Sequence, residues 1–497
     1  MLLRYQIREY TTMTLKKALR KLLVATTVLL VVITTVVILG SIDAPDYDDH
    51  GLMDIVKEVP QDQNGYFELA FIEEDGFSVF DDHGYALQIR EYLTLSPESD
   101  SPWDQGFVDQ LLIKRQNYID AVESSLEYEE FQLPNISREE IDGLEPDYGS
   151  IPHYGGLTDL LDLLLLQSAN YARAGDLSDA LVTARRAVLF SLKIQTESSH
   201  SLLSYFSGQA MLRISMEWLK QLATHYELEA SQYDSLNALV EEIPSYTSDG
   251  YKSVWAGEFA YQRLSIEQST RALGFNLAQS REYQRYINQR SREEPSNESG
   301  SFYRYFADEA RLFGGYLVNK LLGKYIYHPN RVSQTHADLM VEMTALSAQY
   351  CINADVKPDD SEALSKSRMK FYDILLPNSI GKLINNIGGL LFPYGSYADR
   401  RCLSHSHASS VKVIIALIQH ESETGELPDS LDGLVPSYMK EVPIDAFDGQ
   451  PMRYSKTNRW LYSVGSNYQD DGGSLATQYS FACDHDEECM KNPTFSF

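Results

Sequence analysis

The sequence predicts a mainly α chain with three parts: a single N-terminal transmembrane helix, a large helical ectodomain and a small C-terminal α+β module. Three observations predict it. Leu22–Ile42 is an unbroken apolar stretch without a charged residue. Leucines and alanines between Leu157 and Gln195 recur at the spacing of helices that bury one face. After Val411 the pattern gives way to short tyrosine-containing segments separated by Gly, Pro and Asp turns.

The apolar stretch comes first. As a helix it rises about 31 Å, close to the thickness of a hydrocarbon core. A helix satisfies its own backbone polar groups, as lipid requires, and Thr26, Thr27, Thr34 and Thr35 are tolerable because a hydroxyl can bond back to the preceding turn. Arg4, Arg8, Lys16, Lys17, Arg20 and Lys21 precede it, and Asp43, Asp46, Asp48 and Asp49 follow. The excess of basic residues on one side places the N-terminus in the cytoplasm and the remainder outside. A cleaved signal peptide is the rival reading. Its apolar region would run about 7–15 residues, and Ile42-Asp43-Ala44 is a poor small-residue cleavage site.

The 497 residues carry a formal charge of −29, and the basic tail makes the part beyond the anchor more acidic still. Such a surface repels nucleic acid and anionic lipid, so no nucleic-acid partner is expected. Four cysteines are present. Outside the cytoplasm disulfides persist. Cys483 and Cys489 bound a short loop able to close locally, which leaves Cys351 with Cys402. Four cysteines allow three connectivities, and the pairing stays open.

The organisation follows in order. Residues 1–21 form the basic tail and 22–42 the anchor. Residues 43–153 form a stalk and a mixed N-terminal region, with a Pro-containing linker over Leu133–His153. Residues 154–396 form the helical domain. There Gly175-Asp176 divides two helices into a hairpin, with Ala169, Ala172, Ala180 and Ala187 where helices must approach closely. The hairpin resembles a tetratricopeptide unit, but no steady period repeats it, and an irregular bundle fits equally. Helices are expected at Leu202–Thr224, Glu229–Ile243, Ser265–Ser291, Phe302–Tyr327, Val332–Tyr350 and Met369–Pro393. Lys320 and Lys324 argue against a second span in the fourth of these. The α+β module occupies 397–475: a long helix over Tyr397–Thr424, with Val411, Ile414, Ile415 and Ile418 on one apolar side, then strands at Met452–Ser455 and Trp460–Gly465. Residues 476–497 form a tail.

The order of motifs in the module is distinctive: Gly425-Glu426-Leu427-Pro428, then Pro443-Ile444-Asp445-Ala446-Phe447-Asp448-Gly449-Gln450-Pro451, then Tyr462-Ser463-Val464-Gly465 and Asp470-Asp471-Gly472-Gly473. It resembles the globular domain of the major pseudopilin of bacterial type II secretion. The resemblance implies that Asp470 and Asp471 belong to a calcium-binding loop, a cation suited to carboxylate oxygens. Two departures stand out: the apolar span lies far upstream of the module, and it contains no glutamate. The whole arrangement resembles bacterial membrane-anchored envelope proteins, which implies an inner-membrane location with a periplasmic or extracellular ectodomain.

No catalytic constellation is found. There is no Gly-x-Ser-x-Gly, His-Glu-x-x-His, Gly-Lys-Ser/Thr or Gly-x-Gly-x-x-Gly motif. His405 and His407 lie two apart on a helix and point away from each other, so they read as a surface or partly buried pair. The acidic run Asp484–Glu488 reads as a solvated surface. The expected function is therefore a non-catalytic protein-binding or scaffold role with an envelope protein partner. The alternatives are an envelope hydrolase with dispersed active-site residues and a divergent type II secretion component.

Overall fold

The computed structural model describes residues 2–55, 59–69, 79–80, 83–94, 103–132, 154–196, 202–243, 252–260, 263, 327–349, 351, 376–379, 382, 394–479 and 487–497. The helix expected at Ser265–Ser291, nearly all of those expected at Phe302–Tyr327 and Met369–Pro393, the linker Leu133–His153 and the acidic run through Asp486 lie outside the described residues. Of the described residues 69% are helical, which makes the chain mainly α. Contacts divide it into two units: residues 1–49, 262–337 and 365–392, and residues 50–261, 338–364 and 393–497.

In the first unit, α1 (Leu2–Gly40) is a single helix whose Arg20–Gly40 stretch is long and apolar enough to cross a membrane and has none of its length buried. The threonines behave as the sequence predicts. Thr26 donates to Leu22 O at 3.0 Å, Thr27 to Leu23 O at 2.8 Å, Thr34 to Leu30 O at 2.8 Å and Thr35 to Val31 O at 2.8 Å. The residues after α1 are bonded to the start of α9 (Pro329–Gln349). Asp43 caps that helix, its two carboxylate oxygens accepting from Asn330 N at 2.9 Å and Arg331 N at 3.3 Å. His328 Nε2 donates to Gly40 O at 2.9 Å, and Asp48 and Gln334 exchange two hydrogen bonds. The segment that composition reads as the start of a stalk is thus tied down along Gly40–Asp48, because its aspartates cap amides as well as solvate the chain.

The second unit is built on helices α2 (His83–Thr94), α3 (Gln105–Lys114), α4 (Gln116–Leu126), α5 (Tyr154–Ala174), α6 (Leu177–Thr196), α7 (Leu202–His225) and α8 (Ala230–Glu242). Helices α5 and α6 form the expected hairpin. Gly175 takes φ +86°, its amide bonds back to Ala172 O at 3.1 Å, and Asp176 N bonds to Tyr171 O at 2.9 Å, which stops α5 in a left-handed cap. The face carrying Leu157, Leu160, Leu161, Leu164, Ala180, Ala184, Ala187 and Val188 is buried. Helix α7 packs on α6 at close range: a Cβ on Gly208 would stand 2.3 Å from Gln195 N. Trp218 Nε1 donates to Ser168 Oγ at 2.8 Å, and Ser168 donates to Ala180 O at 2.7 Å, so the largest ring of α7 is held to both arms of the hairpin.

Helix α10 (Tyr394–Thr424) runs between two cores. Val411 and Ile415 join the core of α5–α8, while Val413, Ile414, Ala416 and Leu417 pack against Leu434, Met452, Leu461 and Phe495. The sequence places Ile414 with Val411; the structure turns it to the other side, because from 411 to 417 the helix is apolar on most of its circumference and is buried all round. A three-stranded antiparallel sheet covers that second face, in the order β1 (Arg453–Ser455), β2 (Trp460–Tyr462), β3 (Thr494–Ser496). Strands β1 and β2 fall within the expected stretches. β3 comes from residues read as a tail; Leu461 pairs with Phe495, and both are buried against α10. A short helix, α11 (Glu487–Lys491), precedes β3.

Candidate functional site

Two clusters of buried polar groups in the second unit meet on α10. Ser406 and His407 are consecutive and therefore point to different sides of the helix. Ser406 faces the sheet module. It donates to Asp445 Oδ1 at 3.1 Å and accepts from Ala446 N at 3.3 Å. Asp445 has no exposed surface. Besides Ser406 it accepts from Phe447 N (3.1 Å), Ser463 Oγ (2.7 Å), Val464 N (2.8 Å) and Arg453 Nη1 (3.1 Å). Burial pushes its carboxyl up, and these donors hold the ionised form in place. One aspartate therefore fastens α10, the 445–448 turn and both ends of the β1–β2 hairpin.

Arg453 is the counter-charge. Its guanidinium reaches Asp448 at 2.6 Å and Asp470 at 3.1 Å as well as Asp445. Burial works against its charge, but Asp448 and Asp470 outweigh that and keep it protonated. The calcium that the pseudopilin resemblance implies does not fit this arrangement. Asp470 gives Oδ2 to Arg453 and Oδ1 to the Gly472 amide at 3.1 Å, and Asp471 accepts from Asn467 Nδ2 at 3.1 Å. Among the described residues no group of three His, Cys, Asp or Glu side chains could hold a metal ion. The guanidinium stands where the carboxylates would otherwise meet a cation.

His407 faces the helical body. It is buried, its ring stacks on Tyr479 with centroids 4.5 Å apart, and its Nε2 lies 3.6 Å from Glu217 Oε2 on α7. That is too long for a hydrogen bond, and it is an ion pair only when the ring is protonated. Neither ring nitrogen of His407 has a hydrogen-bond partner among the described residues. Burial lowers its pKa against the opposing pull of Glu217, so the ring is neutral. Burial pushes the Glu217 carboxyl up, but His407 and the Lys220 ammonium beside it prevail, and it falls to about 2. Arg213 Nη1 donates to Tyr479 Oη at 3.3 Å. His405, half-buried on another side of α10, is pushed down to about 3 by burial together with Arg401 and Lys412. The sequence leaves this histidine pair at or near the surface; His407 is instead a fully buried joint. Glu217 and Tyr479, which complete it, carry no sequence signal.

No family model, curated protein or solved structure matches the chain.

A second isolated acid lies on α5. Asp162 is fully buried and accepts from Arg90 Nε on α2 at 3.0 Å, while its other oxygen has no partner among the described residues. Burial pushes it up to about 7, with Arg90 pulling the other way. Of the cysteines, Cys351 and Cys402 are joined, with Cα atoms 5.4 Å apart and both side chains buried. Cys489 is also disulfide-bonded; Cys483, which the sequence pairs with it, lies outside the described residues.

Chemically, the perturbed groups are committed to each other. Glu217 is held by Lys220 and His407, Asp445 by five donors, Arg453 by three carboxylates. Each joins elements distant in sequence, and the two serines that touch one of them, Ser406 and Ser463 on Asp445, are buried with it.

Proposed function

We propose that the chain is a single-pass envelope protein of the bacterial inner membrane. Its N-terminus is cytoplasmic, and its ectodomain has a non-catalytic protein-binding or scaffold role toward another envelope protein. The observation that carries this reading is the Arg20–Gly40 stretch, apolar, unburied and with every threonine hydroxyl returned to its own backbone. The Cys351–Cys402 disulfide supports placing the ectodomain in an oxidising compartment. The hairpin α5–α6 with α7 and α8 supports a tetratricopeptide-like body, and exposed apolar residues such as Leu87 on α2 and Ile113 on α3 supply contact surface. The long helix on a three-stranded antiparallel sheet supports a pseudopilin-like tail.

In-cell crosslinking of the full-length protein, followed by mass spectrometry, tests this. Reproducible crosslinks from α2–α8 to one envelope protein are expected. Crosslinks from the sheet module to secretion-system subunits would instead favour a secretion component. The absence of any specific partner would overturn the scaffold reading in favour of an envelope hydrolase.

A further inference from the structure

The junction between α1 and α9 fixes the place of one surface of the first unit. Gly40 is the last residue of α1, and the apolar stretch ends there and at Ile42. Two groups from far along the chain hold these terminal carbonyls: His328 Nε2 on Gly40 O at 2.9 Å and Arg331 Nη2 on Ile42 O at 3.2 Å. Asn330 Nδ2 takes the next carbonyl but one, Ala44 O, at 2.7 Å, and Asp43 caps the amides of Asn330 and Arg331 in return. The backbone of His328 is fixed as well, its N–H donating to Asn378 Oδ1 at 2.9 Å. A membrane helix surrenders its last carbonyls where hydrocarbon gives way to headgroups. The first turn of α9 is therefore held at that depth by hydrogen bonds on both of its sides.

The residues exposed at this junction suit that depth. Arg331 is exposed, and the bond to Ile42 O uses one of its five N–H donors. Leu376, two residues before Asn378, is 41% exposed. Interfacial segments use such groups together, the cation toward phosphate and the apolar group toward the acyl boundary. Of the nearby carboxylates Asp43 is engaged as a helix cap, while Asp46 and Asp48 are exposed.

We propose that the first turn of α9 rests on the headgroup layer where α1 leaves the bilayer, and that Arg331 contacts lipid phosphate. This rests on the anchor reading above and adds a second, extrinsic membrane contact to it.

The test uses the full-length chain carrying Thr335→Cys, one turn beyond Arg331, labelled with a thiol-reactive fluorophore. It is reconstituted into phosphatidylcholine vesicles with and without lipid bearing a nitroxide on its headgroup. The expected result is a loss of emission in the nitroxide vesicles, and Arg331→Glu, which sets a carboxylate against the phosphates, relieves it. Emission unchanged by the nitroxide, in protein that floats with the vesicles after a carbonate wash, overturns the inference and leaves the anchor standing. Protein stripped by carbonate overturns both. Quenching that persists undiminished in Arg331→Glu overturns the phosphate contact.

Discussion

Arg453 Nη2 stands 2.6 Å from Asp448 Oδ2, and the same guanidinium also pairs with Asp445 and Asp470. Its removal leaves three carboxylates facing one another, one of them fully buried. Arg453→Gln is expected to cost about 3–5 kcal/mol, the range for breaking a buried pair on one side. Calcium should then substitute for the lost cation. In thermal melts of the detergent-solubilised chain, added calcium raises the midpoint of the variant and leaves the wild type unmoved.

The histidines of α10 make stability fall on the acid side. His407, facing Glu217, Lys220 and Arg213, is held below its ordinary pKa by burial, and His405, facing Arg401 and Lys412, is held at about 3. The unfolded chain binds these protons near pH 6.5 and the folded chain resists them. Stability is therefore full above about pH 6.5 and is lost as pH falls below it, by about 1.4 kcal/mol per pH unit for each group. Glu217, lowered from 4.5 to about 2, adds a second loss below pH 4.5. Urea midpoints measured from pH 7.5 to 5 should show the first slope, and His407→Gln should flatten part of it.

Asp162 has the opposite sign. Its folded pKa near 7 lies above the ordinary 3.8, so the folded chain binds the extra proton and stability falls as pH rises between those values. Asp162→Asn keeps an acceptor for Arg90 without the buried charge. It is expected to stabilise by roughly 2–4 kcal/mol at pH 8, with the gain shrinking toward pH 4. An equal effect at both pH values would count against the shifted carboxyl.

Gly208→Ala tests the packing of α7 on α6. The added methyl meets the Gln195 backbone, which has no rotamer to yield with. A loss of about 1–3 kcal/mol is expected, with secondary structure by circular dichroism unchanged below the transition.

Local chemistry explains what could be read in advance. The break at Gly175, the threonine back-bonds and the β1–β2 hairpin each depend on residues within a few positions of one another, so spacing and turn residues reveal them. The candidate site depends on pairs with no local trace. His407 meets Glu217 and Tyr479 from three separate stretches, and Asp43 caps an amide at Asn330. An isolated acid or histidine in a helix looks the same from sequence whether it faces water or a distant partner. β3 escaped for another reason: three residues are too few for alternation to register, and only its pairing with β2 defines it. The loop reading of Asp470 and Asp471 is local in the same way and does not register Arg453, which bonds Asp470 from a strand outside the loop.

The sheet order has a consequence for how the module is made. Its central strand β2 needs β3, which follows it by some thirty positions, to finish the wall against α10. During synthesis or export α10 emerges first, with Val413, Ile414 and Leu417 uncovered, and these stay sticky until Phe495 arrives. Over that interval the half-built module is an aggregation hazard that a holding chaperone would relieve. A frameshift or nick shortly before residue 494 would make that transient state permanent.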